Sequence, residues 1–189
     1  MSPSPDSRSM PVAVTGSGVV SPLGNDLGTF DAALFGARSA VRRLALDLPG
    51  IELPPVPVAS AAFDAAAEVA PSRVPLDRGT AMALFAARAA ARAARLDAGS
   101  DDGERLGIYW GSGMGGAATF EATCRSVYAD RRRMRPTSVV TTMPNAPVAE
   151  LALLFRARGA ALGYACACAS AAVAIGEAMR AIRAGWIDV

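Results

Sequence analysis

The chain contains no histidine, and every one of its 19 basic residues is arginine. The first absence removes the imidazole that serves most acid–base catalysts. The second removes lysine, and with it Schiff-base chemistry. Charged residues are also sparse, at 19% against 52% apolar, which excludes a disordered chain. The net charge is only +2, so no strong field for nucleic acid or an anionic membrane is implied. Cysteines number three, at Cys124, Cys166 and Cys168. The last two lie one residue apart and would make a strained bridge, so no disulfide framework is visible. That suits a reducing cytoplasm. A Cys-x-Cys pair without histidine or a second thiol pair is a poor zinc site, and no metal or cofactor is expected.

At 189 residues the chain is long enough to bury a core and is most simply one domain. Residues 1–10 are polar and rich in Pro and Ser, without the apolar core of a signal peptide. They read as a disordered tail, leaving residues 11–189 as the domain. Gly159 to Gly176 carries no charge and is long enough to span a membrane. Its Ala, Gly, Ser and Cys content, with a turn signal inside, fits a buried strand followed by a buried helix better. No membrane span is expected.

Strand and helix signals alternate along the chain, which predicts an α/β layered fold. Val12 to Thr15 reads as a short buried strand. Asn25 or Asp26 can cap the following helix and Gly36 can end it. Residues 48–75 are Pro-rich and lack helical period, so loops and short extended pieces are expected. Thr80 to Leu96 reads as a helix, with Arg88, Arg92 and Arg95 sharing a face that is buried at its start and solvated towards its end. Ala98 to Gly103 is a turn, and Leu106 to Trp110 a core strand. Ala117 to Ala129 is helical, closed by Arg131, Arg132, Arg133 and Arg135, with Pro136 as breaker. Met143 to Pro147 is a loop and Val148 to Phe155 a short helix. Gly185 suits a helix C-cap, and Trp186 to Val189 should begin another strand.

The richest segment is Gly163-Tyr-Ala-Cys-Ala-Cys-Ala-Ser170, which runs from a strand through a turn into a helix. Cys168 sits where that helix begins. Free cysteines are most often small buried hydrophobes. At a helix start, however, unpaired N–H groups and the positive end of the dipole favour the thiolate, which is how a cysteine becomes a nucleophile. Cys166, two residues earlier, reads as a small buried residue. Gly111-Ser-Gly-Met-Gly-Gly116 formally matches a dinucleotide-binding turn. That reading requires an acidic residue ending a second strand about twenty positions on. Asp130 in a helix end and the arginine run lie there instead. The arginines read as a solvated loop or as a dock for an acidic partner. No aromatic platform accompanies them, so nucleic acid is not expected.

Tyr164-Ala-Cys-Ala-Cys-Ala-Ser-Ala171 resembles the active-site segment of β-ketoacyl-acyl carrier protein synthases. These are the condensing enzymes of fatty acid and polyketide synthesis, with a thiolase-like layered α/β/α fold. Val12-Ala-Val-Thr-Gly-Ser-Gly-Val-Val-Ser-Pro-Leu-Gly24 is similar to their opening strand and loop. Gly107-Ile-Tyr-Trp-Gly-Ser-Gly-Met-Gly-Gly116 is similar to their central glycine turn, and Asp77 with the Ala-rich helix after it also fits. The resemblance runs from about Val12 to Val189 and implies the N-terminal half of that fold, incomplete at the C-terminus.

It implies Cys168 as the catalytic residue that accepts an acyl group as a thioester. The backbone N–H of the same residue would contribute to an oxyanion hole. Met114 and Ala167 are the candidate substrate-binding residues; Met114 matches a position beside the acyl-chain pocket, and a thioether also suits core. The partners implied are acyl carrier proteins bearing acyl and malonyl groups. A second copy of the chain, or a complementing C-terminal half, is implied as well, with Ala160 to Cys166 near the twofold. The family's later steps use two histidines and a lysine from the C-terminal half, so this chain alone is expected not to condense. Three readings stay open: one subunit of a split enzyme, an inactive truncated product, or a module that binds a carrier protein or synthase without chemistry.

Overall fold

The computed structural model describes residues 10–46, 50–69, 74–96 and 103–189. The expected tail at residues 1–9 and most of the turn at 98–102 lie outside the described residues. The helices are α1 (Leu27–Phe35), α2 (Ala65–Glu68), α3 (Arg78–Ala93), α4 (Ala117–Cys124), α5 (Ser138–Thr142), α6 (Ala146–Phe155) and α7 (Ser170–Arg183). The strands are β1 (Arg42–Leu44), β2 (Val56–Val58), β3 (Ile108–Gly111) and β4 (Ala161–Tyr164). β1 and β2 form an antiparallel ribbon, and β3 and β4 pair in parallel from Ile108↔Ala161 to Gly111↔Tyr164.

Alternation along β3 sorts the layers, because neighbouring residues of a strand point to opposite faces. Ile108 is buried with Leu84 of α3 and with Val148, Leu151 and Phe155 of α6. Gly163 of β4 faces the same way, where an added Cβ would meet Val148 at 3.5 Å. Tyr109 and Tyr164 occupy the opposite face, stacked with ring centroids 6.4 Å apart and planes at 13°. Gly111 lies on that face too, against Ser170 at the start of α7. The order is therefore α3 and α6, then the strands, then α7, which is the layered α/β/α arrangement expected.

Asp77 connects three of the elements. It is the N-cap of α3, where its Oδ1 accepts from Gly79 N–H at 2.8 Å. Its Oδ2 accepts from the N–H of Thr119 at 3.0 Å and from the Thr119 hydroxyl at 2.8 Å. Thr119 is in the first turn of α4, whose own cap position, Gly116, has no side chain to offer. One buried carboxylate thus caps two helices. Arg78 then donates to the carbonyls of Phe63 at 2.6 Å and Ala61 at 2.8 Å, and its guanidinium lies over the Phe63 ring. The Pro-rich stretch is held to α3 in this way.

Several boundaries are as expected. Asp26 caps α1 through Thr29 N–H, and Gly36 follows its last residue. Along α3, Leu84 is buried, Arg88 half-buried and Arg92 exposed. Gly185 takes the left-handed position after α7, with φ 71°. Among the described residues no helix is long and apolar enough to cross a membrane. The uncharged stretch from Gly159 to Gly176 divides into β4, a turn and the first part of α7.

Other expectations fail. Val12–Thr15 forms no strand, and Val14 is 88% exposed. A strand needs a ladder partner. One side of β3 is taken by β4, and the residues just before β3 bond the chain end, where Gly107 N–H donates to Val189 O at 2.7 Å and Asp188 N–H to Arg105 O at 2.8 Å. Residues 16–18 instead cross α3 so closely that a Cβ on Gly18 would sit 2.0 Å from Ala86 O. Trp186–Val189 makes those bonds without becoming a regular strand. β4 is exposed rather than buried over Ala161–Gly163, because its outer edge has no neighbouring strand among the described residues. α7 is buried on one side only, at Ser170, Ala174 and Ala181. β1 and α5 have no signal in the sequence, and α2 falls inside residues 48–75, where only loops and short extended pieces are expected.

These connections can be tested by substitution. Asp77→Ala removes two caps at once and should lower the unfolding free energy by roughly 1–4 kcal/mol, read from denaturant titration. A second prediction concerns acid. Arg105 donates to Asp188 through Nε at 2.6 Å, and this hydrogen bonding, ahead of its charge, holds the Asp188 carboxyl below the usual carboxylate range. A depressed pKa in the folded state stabilises above the unfolded value and is lost as pH falls through the folded one. Asp188→Asn should therefore flatten the acid limb of a stability–pH curve while leaving the slope above pH ~6 unchanged.

Candidate active site

The turn between β4 and α7 carries Cys168. It departs from the sequence reading in one respect: Cys168 lies inside a 3-10 turn over Ala167–Ala169, and α7 begins two residues later at Ser170. Ala169 N–H donates to Cys166 O at 3.1 Å, closing the turn. Ala167 has φ 50°, the left-handed region, which costs an L-residue roughly 1–2 kcal/mol. Cys168 is exposed, so it is not the buried hydrophobe that a free cysteine usually is. Cys166 is exposed as well, against the expectation of burial. Cys124 ends α4 and is half-buried.

Glycines bring the other wall of the site into place. A Cβ on Gly111 would fall 2.3 Å from the carbonyl carbon and oxygen of Ser170, so only glycine permits β3 to touch the start of α7. Gly113 follows, where a Cβ would sit 3.5 Å from Ala167 O. Ser112 N–H donates to Tyr164 O at 3.0 Å, and the Ser112 hydroxyl accepts from Gly115 N–H at 3.0 Å. The glycine turn is thereby pinned to the end of β4 and lies against the Cys168 turn. Gly115, at φ 60°, and Gly116 pack on Pro144 and Thr141 at the far side.

This combination, a nucleophile turn after a parallel strand with a glycine turn folded onto it, matches a known arrangement. The sequence model for the β-ketoacyl synthase N-terminal domain matches residues 9–189. The chain belongs to the β-ketoacyl synthase family. It is 30% identical to 3-oxoacyl-[acyl-carrier-protein] synthase 2 of Staphylococcus aureus over 96% of its own length and 44% of that protein. Among solved structures it superposes on the ishigamide ketosynthase/chain length factor with TM-score 0.75 and 24% identity, over 92% of this chain and 44% of that one. A type II polyketide ketosynthase, in complex with its acyl-carrier protein and bound to the hexaketide, gives TM-score 0.73 at 23% identity, over 92% and 47%. The chain thus spans less than half the length of these relatives, and the thiolase-like fold expected from sequence is the one found.

In this synthase domain the structure brings Ala167 and Cys168 together with Gly113. Met114 stands at the tip of the glycine turn and is 79% exposed, so within this chain it is neither core nor the wall of a closed pocket. Among the described residues, no three His, Cys, Asp or Glu side chains converge as a metal site. Behind the site, burial raises the phenol pKa of Tyr109 and Tyr164, with the Glu177 carboxylate adding to it, so both rings stay neutral near pH ~7. A separate cavity of about 510 Å³ lies between α4, α5 and the arginine loop, lined in part by Thr119, Ser126, Arg132, Arg133 and Arg135. Those arginines, with Arg131, are all exposed.

Ser170 reads from sequence only as a small residue that allows close packing. Its hydroxyl instead accepts from Cys166 N–H at 2.8 Å and donates to Ala167 O at 2.7 Å. A serine opening a helix was the available signal. The role of Gly111 can be tested directly. Gly111→Ala would force about one methyl group into backbone and should destabilise the chain by roughly 1–3 kcal/mol or more, with a matching fall in melting temperature.

Proposed function

We propose that this chain supplies the acyl-accepting half of a 3-oxoacyl-acyl carrier protein synthase of fatty acid or polyketide biosynthesis. The observation that carries the reading is an exposed Cys168 on a strained turn between β4 and α7, in a chain of the β-ketoacyl synthase family. The Cys168 thiolate attacks the carbonyl of an acyl thioester on the carrier protein. A new carbon–sulfur bond forms, the carrier's thiolate leaves, and the acyl group stays on Cys168. Backbone N–H groups at the turn, that of Cys168 among them, face the developing oxyanion. Malonyl-carrier protein then loses CO₂, and the resulting enolate carbon attacks the Cys168 thioester, releasing the thiolate and a 3-oxoacyl-carrier protein.

The second step needs donors aimed at the enolate oxygen. With no histidine and no lysine among its 189 residues, the chain has to receive them from outside this sequence. The open edge of β4 suits assembly with a second copy or with a complementing half, since an unpaired strand edge seeks a partner. The exposed arginines at 131, 132, 133 and 135 suit docking of an acidic carrier protein. Soluble, cytoplasmic operation fits this reading.

The test is intact-mass analysis after incubation with acyl-carrier protein, then with malonyl-carrier protein. An acyl adduct that disappears in Cys168→Ala, without any 3-oxoacyl product, is the expected result. Turnover by the chain alone would sink the two-part reading. Carrier binding without an adduct would favour a non-catalytic binding module.

A further inference from the structure

We propose that Ser170 is the positioning residue of Cys168, acting by holding Ala167 in its left-handed conformation. The inference rests on Cys168 being the acyl acceptor. Ala167 directly precedes Cys168, and its φ of 50° sets the direction in which the chain presents the thiol. An alanine in that region is unfavourable, and bonds to its flanking backbone can offset the cost. The two bonds of the Ser170 hydroxyl flank this residue: Cys166 N–H on one side at 2.8 Å, and Ala167 O on the other at 2.7 Å. Together they restrain the backbone before and after the Ala167 Cα, and so its φ and ψ. The hydroxyl donates once and accepts once, both times to this turn.

Ser170 is itself immobilised. It is 3% exposed, and its backbone carbonyl lies against Gly111. Strand β3, the start of α7 and the nucleophile turn therefore meet at one residue. A substitution that deletes only the hydroxyl oxygen should leave the layers in place and free Ala167 to relax towards the ordinary right-handed or extended regions. Cys168 would then lose its set orientation, while Cys124, at the end of α4 and outside this turn, would keep its own.

The experiment uses the full 189-residue chain and site-resolved alkylation by iodoacetamide, followed by mass spectrometry. The ratio of the Cys168 rate to the Cys124 rate is the readout, because general loosening raises every thiol together and Cys124 makes no bond to Ser170. The unmodified chain should favour Cys168. Ser170→Ala should reduce the ratio by about tenfold, the scale expected of small misplacements of a reacting group. Ser170→Thr, which keeps the hydroxyl, should restore it. In an Ala167→Gly background, Ser170→Ala should change the ratio far less, because glycine enters the left-handed region unaided. An undiminished preference for Cys168 in Ser170→Ala would overturn the positioning role and leave the acceptor role standing. An equal drop in the Ala167→Gly background would also overturn it. If the unmodified chain shows no preference for Cys168, the acceptor role falls and the positioning role falls with it.

Discussion

The contact on which the site depends is the meeting of two backbones, Gly111 of β3 and Ser170 of α7. There is no room for a Cβ between them. Close approach of this kind lets the strand act as a rigid base for the helix that follows the nucleophile. It also commits the start of α7 to one orientation, and hence the turn before it. Had β3 carried any side chain at this position, α7 would stand off the sheet. The glycine turn after β3 would then no longer reach Ala167.

A second constraint fixes where that glycine turn leads. α4 starts at Gly116, which has no capping side chain, so its orphan N–H groups need an acceptor from elsewhere. Asp77 provides it from the N-terminus of α3 while capping its own helix. The carboxylate is buried and engaged by three N–H or O–H donors. Placing it there joins the Pro-rich region, through Arg78, to the layer that carries the site. The arrangement explains why an acidic residue stands immediately before an Ala-rich helix: its reach, rather than its charge on the surface, organises the fold.

The site itself is open. Cys166, Cys168 and Met114 are exposed, and the outer edge of β4 is unpaired among the described residues. The chain covers less than half the length of its relatives. The same openness accounts for the failed burial expectations at β4 and Cys166. Burial was inferred from apolar composition, and composition reports what a segment prefers to touch. It does not say whether the partner is within the same chain.

Local patterns in the sequence determined a good deal: the caps at Asp26 and Asp77, the helices after them, β3 with its glycine turn, and the strand–turn–helix around Cys168. Each depends on residues a few positions apart, so nearest-neighbour physics suffices. Family membership was legible for the same reason, since its motifs are short and contiguous. What the tertiary structure alone decided were relations between distant segments. Val12–Thr15 has strand composition yet finds no ladder, while β3 pairs with β4 and the residues just before β3 bond the chain end. Asp77 serves α4 as well as α3 across 42 positions of sequence. Ser170, which reads as a mere small residue, becomes a clasp only because Ala167 is left-handed and Gly111 admits it to the sheet. Propensity acts along the chain, whereas these outcomes depend on which backbones meet in space, and that is set only once the layers have packed.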